Sequence, residues 1–228
     1  MFRRSSNPNL IVGIFLLIVL SLFLSPNFLP RFVSDIAPEI YSGIPCQWLR
    51  RADDRANHQS LLGRAVTNPF ELSVNLGTFP QQGSDIWEIR ITLRNNSLGT
   101  VPIVYDPAQV SIGDNGTSGM GLIFTPANAL QGQYARNTDP QAFPETQIRL
   151  LGPRQSCIHV VEVPAGNVLV DPSLTSGSAQ VKAYYRGVTR GTIVQSQGII
   201  ATPIYNDQGL WVGYTESNSI QVLTTPLQ

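Results

Sequence analysis

The sequence predicts an all-β sandwich, preceded by one transmembrane helix and a short α-helix. Three observations predict it. From Phe70 onward apolar residues recur at every second position, the period of a strand with one buried face. Turn residues punctuate these runs at "NNSLG", "GDNGTSG", "LGPRQS", "VPAG" and "NDQG", where short strands meet tight connections. No long helical pattern separates the runs, so antiparallel pairing is expected rather than βαβ units.

The division that follows has four parts. Residues 1–9 are read as a cytoplasmic N-terminus and 10–29 as a transmembrane anchor. Residues 30–69 are a linker with the short helix, and 70–228 are the sandwich domain. Of 228 residues, 15 are basic and 15 acidic. That balance offers no reason to expect nucleic acid or a strongly acidic partner. The 19 glycines and 17 prolines exceed the ordinary share and fit many turns between short strands.

The anchor is read from "RRSSNPNLIVGIFLLIVLSLFLSPNFLPRF" (3–32). Leu10 to Leu24 is nearly all apolar and would span about 22 Å as a helix. Continuing to Leu29 gives about 30 Å, the thickness of a bilayer core. Cleavage chemistry separates an anchor from a signal peptide, because the peptidase wants small residues at −1 and −3. After Ser25 the −3 residue is Phe23 and Pro26 follows. After Ala37 the −3 residue is Asp35 and Pro38 follows. Neither suits cleavage, and Cys46, preceded by Pro45, is a poor lipobox cysteine. A retained anchor is expected. Arg3 and Arg4 precede it, whereas Arg31 beyond it is offset by Asp35 and Glu39. The positive-inside bias therefore places the domain outside, periplasmic or at the cell surface. The run holds no ionisable residue, so it reads as a plain tether in the lipid bilayer rather than a transport path.

Prolines 30, 38 and 45 favour an extended linker. "CQWLRRADDRANHQSLLGRA" (46–65) is rich in helix formers. Leu49, Ala52 and Ala56 recur at helical spacing, and Gly63 or Asn68-Pro69 would end the helix. One reading packs its small-residue stripe on the domain. The other makes it a docking surface for a membrane partner, with Trp48, Arg50, Arg51 and Arg55 as contacts.

In the body, "FELSVNL" (70–76) sets Phe70, Leu72, Val74 and Leu76 against Glu71, Ser73 and Asn75. "DIWEIRITLRN" (85–95) sets Trp87, Ile89, Ile91 and Leu93 against a charged face. Further strands are expected at 101–105, 109–112, 121–125, 147–151, 157–163, 167–170, 179–186, 191–200, 202–206, 210–215 and 219–224.

"WEIRITLRNNSLGTV" (87–101), "IRLLGPRQSCIHVVEVP" (148–164) and "AQVKAYYRG" (179–187) resemble strands and turns of the immunoglobulin-like domains of bacterial envelope proteins. The resemblance covers roughly residues 70–190. It implies an immunoglobulin-like antiparallel β-sandwich, commonly carried behind an anchor or lipoprotein signal. It transfers no catalytic residue.

The candidate chemistry is sparse. Cys46, Cys157, His58 and His159 are the only cysteines and histidines. Their spacings match no common zinc motif. A Cys46–Cys157 disulfide is expected in a compartment outside the cytoplasm; two buried free thiols are the other reading. Cys157 and His159 share a strand face but stand about 7 Å apart, too far for direct proton transfer. "GDNGTSG" (113–119) lacks calcium-loop spacing. Asn95-Asn96-Ser97 and Asn115-Gly116-Thr117 are glycosylation sequons. Trp87, Trp211, Tyr184 and Tyr185 would serve as a sugar-stacking platform only if they faced solvent. No catalytic, cofactor-binding or metal-binding residue is assigned. The expected function is non-enzymatic and cofactor-free contact with other membrane or envelope proteins. A glycan- or ligand-binding module is the alternative, and a hydrolase or thiol redox enzyme stands behind it.

Overall fold

A computed structural model describes residues 8–24, 43–51, 68–114, 116–127, 129–130, 142–189, 192–194, 200–201 and 210–224. Its first element, α1 (Pro8–Leu24), has 17 residues. That is about 25 Å of helix, somewhat less than a bilayer core. Among the described residues no helix is long and apolar enough to cross a membrane. Residues 25–29 of the expected anchor lie outside the described ones. Within α1, Val12, Ile14, Phe15, Leu16, Leu17 and Ile18 are all exposed.

The remaining described residues are mostly strand. In chain order these are β1 (Ile44–Pro45), β2 (Arg50–Arg51), β3 (Phe70–Leu76), β4 (Ile86–Asn95), β5 (Val101–Val104), β6 (Ser111–Ile112) and β7 (Gly119–Thr125). Then come β8 (Ala142–Pro144), β9 (Ile148–Leu151), β10 (Ser156–Pro164), β11 (Gln180–Gly187), β12 (Thr192–Val194), β13 (Ile200–Ala201), β14 (Gly213–Glu216) and β15 (Ile220–Gln221).

Two sheets carry most of the core. Sheet one runs β1–β10–β4–β3. β10, β4 and β3 pair antiparallel, and β1 lies parallel to β10. β3 and β4 are strands because their apolar residues alternate, so that one face empties of water. Leu72, Val74, Ile89, Ile91 and Leu93 are buried, while Glu71, Ser73, Asn75, Glu88 and Arg90 are exposed. Sheet two runs β14–β11–β7–β6, with β15 also on β11. Tyr184 pairs with Glu216, yet Val181 pairs with Ile220. The chain between β14 and β15 thus carries one more residue than β11 opposite it, which is a β-bulge. Two smaller sheets run β2–β9–β5 and β13–β12–β8.

Inner residues of both main sheets belong to one buried cluster, including Trp87, Ile91 and Leu93 from sheet one and Leu122, Phe124 and Val181 from sheet two. Trp87 meets Phe124 at 6.2 Å between ring centroids. Phe70 packs edge-on to Tyr185 at 5.4 Å and to Trp211 at 4.9 Å. Each such large side chain contributes about 1.5–3 kcal/mol by leaving water.

Two expectations need correction. The helix expected over 46–65 does not begin at Cys46: Cys46–Trp48 make one 3₁₀ turn, and Leu49 is extended (φ −56°, ψ 151°). Arg50 and Arg51 then pair with Leu150 and Arg149 of β9, so strand pairing overrides local helix propensity. Residues 52–67, with the rest of that helix, lie outside the described ones. The strand expected at 167–170 is instead the end of a helical turn, α2 (Ala165–Val168). A second turn follows, α3 (Pro172–Thr175), whose first amides donate to the Asp171 carboxylate. A short apolar run does not reveal its own period, and here Pro164 and Pro172 bracket the turn. β8 had no counterpart among the expected strands. The strand expected at 202–206 lies outside the described residues.

Candidate functional site

The segment Gly43–Arg51 is a strap across the body. It enters as β1 on the edge of β10, turns at Cys46–Trp48, and leaves as β2 on the edge of β9. At the turn Cys46 is bonded to Cys157 of β10, with Cα atoms 4.8 Å apart. Both cysteines are fully buried. The bond closes a separation of 111 residues, long enough to restrict the unfolded chain strongly. Of the residues named as contacts, Trp48 is partly buried against the core. Arg50 is half-buried and Arg51 exposed. Arg55 lies outside the described residues, as does His58.

Beside the strap is a cleft of about 510 Å³, lined in part by Gln47, Arg90, Tyr105, Ile158, His159 and Val160. It opens where β1 leaves the edge of β10. His159 points inward, in line with Cys157 and Val161, and its Nδ1 is 2.7 Å from the Tyr105 hydroxyl. Burial lowers the His159 pKa to about 4 and pushes the Tyr105 hydroxyl well above its usual range. Tyr105 had no signal in the sequence, because its partner lies 54 positions away.

The opposite edge of sheet one is β3, which pairs only with β4 among the described residues. Asn96 N–H donates to Pro69 O at 2.7 Å, and Gly77 N–H donates to Glu88 O at 2.7 Å. These two bonds set the phase of the ladder. In an antiparallel pair the bonded positions alternate, so the backbone groups of Glu71, Ser73 and Asn75 face β4. Those of Phe70, Leu72, Val74 and Leu76 face outward, where no further strand pairs among the described residues, and Phe70 N–H donates to Asn68 Oδ1 at 3.3 Å. Beside its second half lies a groove of about 500 Å³, lined by β3 and the loop after it and by Ile220, Leu223 and Thr224 across from them.

The other edges of the main sheets are blunted. β1 has two residues, one of them Pro45; β6 has two; and the β14–β15 edge is bulged. Short strands, proline and bulges are the usual protections of a sheet edge. β3 has seven unbroken residues, no proline and no lysine.

The outer face of sheet two is occupied by its own contacts. Tyr184 lies against Gly121, where an added Cβ would sit 2.6 Å from its ring. Its hydroxyl is 2.8 Å from Ser111 Oγ and donates to Gly113 O. Arg186 bridges to Asp114 at 2.7 Å and lies over the Tyr214 ring. Asp114, the acid of the "GDNGTSG" loop, is therefore taken by an arginine and by Gly116 N–H. Burial, and then the hydrogen bond to Glu216, push the Tyr214 hydroxyl up to about 12.

Several sequence candidates are removed from solvent. Trp87, Tyr184 and Tyr185 are 1% exposed and Trp211 9%, so these rings present no stacking platform. Asn95 is fully buried, and its amide donates to Gly99, Leu151 and Gly152 carbonyls. That sequon therefore offers no acceptor to a glycosylating enzyme in the folded chain. Among the described residues no group of three His, Cys, Asp or Glu side chains is placed to hold a metal ion. No known protein family, no curated protein and no solved structure matches this chain.

Proposed function

We propose that the chain is a non-enzymatic, membrane-tethered module. On this reading the N-terminal helix and the residues after it hold an immunoglobulin-like sandwich outside the membrane, where it makes protein–protein contacts as part of an envelope assembly. The observation that carries the reading is β3: a seven-residue edge strand whose outward-facing backbone groups have no strand partner among the described residues. Such an edge accepts a further strand through main-chain hydrogen bonds.

Three features support the rest. The run from Val12 to Ile18 exposes only apolar side chains and one glycine, which suits lipid better than water. A buried disulfide suits an oxidising compartment and leaves neither cysteine as a thiol nucleophile. Burial of the Trp87, Trp211, Tyr184 and Tyr185 rings takes away the main support for glycan binding. Gentle detergent extraction followed by size analysis tests the reading. An assembly larger than the monomer is expected; a monomer that washes from membranes in carbonate overturns it.

A further inference from the structure

From the edge geometry we infer that the strand added to β3 is β3 of a second copy, paired antiparallel about Ser73. This names the partner for the interaction reading above and rests on that reading.

The argument is one of register. The outward backbone groups belong to Phe70, Leu72, Val74 and Leu76, of which Phe70 N–H already donates to Asn68 Oδ1 at 3.3 Å, so a new strand must bond at even-numbered positions. Centring two copies on Ser73 sets Phe70 opposite Leu76 and Leu72 opposite Val74, in both directions. Every bonded position then meets a bonded position, giving about six backbone hydrogen bonds, or about eight where Phe70 N–H leaves Asn68 Oδ1 in both copies. Shifting the centre to Leu72 or Val74 shortens the ladder. A one-residue slip puts bonded positions opposite unbonded ones.

Side chains agree with the same register. The inner side sets Leu72 beside Val74, apolar on apolar. On the outer side Ser73 meets Ser73, and Glu71 meets Asn75. Across the joined sheets the row reads Arg94, Glu71, Asn75, Arg90, since Arg94 pairs with Glu71 and Arg90 with Asn75 within each copy. Each glutamate thus lies between Arg94 of its own copy and the uncharged Asn75 of the other, and no like charges are directly opposed. Ile220 (36% exposed) and Leu223 (54% exposed) border the same groove, so pairing at this flank also covers apolar surface. The arrangement is isologous, the commonest symmetry for two identical chains. A shared membrane tether would raise the effective concentration of copies.

The test uses the full-length chain in detergent, with cysteine variants under mild copper–phenanthroline oxidation. Opposed residues at an unbonded antiparallel pair have Cα atoms about 4.5 Å apart, within disulfide range. Ser73→Cys is expected to give a covalent dimer, and Glu71→Cys is expected to couple to co-expressed Asn75→Cys. Ser84→Cys, exposed in the β3–β4 loop, is the control. Ser73→Cys coupling no faster than Ser84→Cys overturns the inference. A charge pair gives a readout that misfolding cannot imitate. Ser73→Lys alone and Ser73→Glu alone are each expected to weaken dimerisation roughly two- to fivefold, and mixing them to restore it. Failure of the mixture to recover refutes the register. A photo-cross-linker at position 73 in native membranes separates the two levels of the reading. A product of twice the chain mass supports self-pairing. An adduct with a different protein overturns self-pairing and keeps the interaction reading. No adduct overturns both.

Discussion

Sheet one and sheet two contribute to the same core but treat their outer faces differently. On sheet one the outer residues of β3 and β4 stand mainly in solvent. The ion pair there, Arg90–Glu88 at 3.2 Å, has side chains 58% and 48% exposed. On sheet two the outer residues lock onto one another. Tyr184 fills the space over Gly121, Arg186 joins Asp114 and Tyr214, and Lys182 reaches Glu216 at 2.6 Å. Sheet two resembles a finished surface. Sheet one keeps a regular, solvated face that ends in a strand with no further strand paired to it among the described residues and is held at its other edge by a disulfide. The difference teaches where each sheet's stability resides: in specific interlocks on one, and in the buried face plus a covalent staple on the other.

The staple gives the largest expected effect. Replacing both Cys46 and Cys157 with serine should lower unfolding free energy in urea by about 2–5 kcal/mol, because the closed loop is long. A loss under about 1 kcal/mol would show that sheet one holds the strap without help. Gly121→Ala comes next. Its Cβ would meet the Tyr184 ring at 2.6 Å and Ser111 O at 2.7 Å, costing about 1–3 kcal/mol by overpacking. Ser73→Ala on sheet one should stay within about 0.5 kcal/mol. Equal melting shifts for these two variants would erase the contrast between the faces.

Acid probes the strap end of sheet one. The His159 pKa is about 4 in the fold and about 6.5 in the unfolded chain. Between those values the unfolded state binds more protons, so stability falls as pH drops from about 6.5 to about 4 and then levels off. Since the ring is partly exposed, the expected loss is on the order of 1–2 kcal/mol. His159→Phe should flatten this slope in pH-dependent melting; an unchanged slope would assign it to other groups. The smallest effects concern surface charge. Arg90→Ala should cost less than about 0.5 kcal/mol. Arg186→Ala, which loses both an ion pair and a ring contact, should cost about 0.5–1 kcal/mol. Reversal of that order would contradict the interlocked face.

How much was legible depends on the kind of contact. β3 and β4 were readable because Leu72, Val74, Ile89 and Ile91 alternate with polar residues, and a two-residue period has one structural meaning. "NVLV" at 167–170 misled because four residues of that composition fit a strand or a helical turn. The helix expected from Cys46 failed because Arg50 and Arg51 found β9, 98 or more positions ahead in the chain. The rings of Trp87, Tyr184 and Tyr185 could be named as a platform or as core, and only the stacking of sheet on sheet decided for core.

By itself the sequence determined that this chain is β-rich, where most of its turns fall, and which face of each regular strand leaves water. Those properties are local, set by side-chain periodicity and backbone freedom within a few residues. Tertiary structure alone decided which strand became the exposed edge, that Tyr105 meets His159, and that Tyr184 closes over Gly121. Each of these joins residues far apart in the chain, and the choice among distant partners is made by packing and hydrogen-bond geometry that no short window contains.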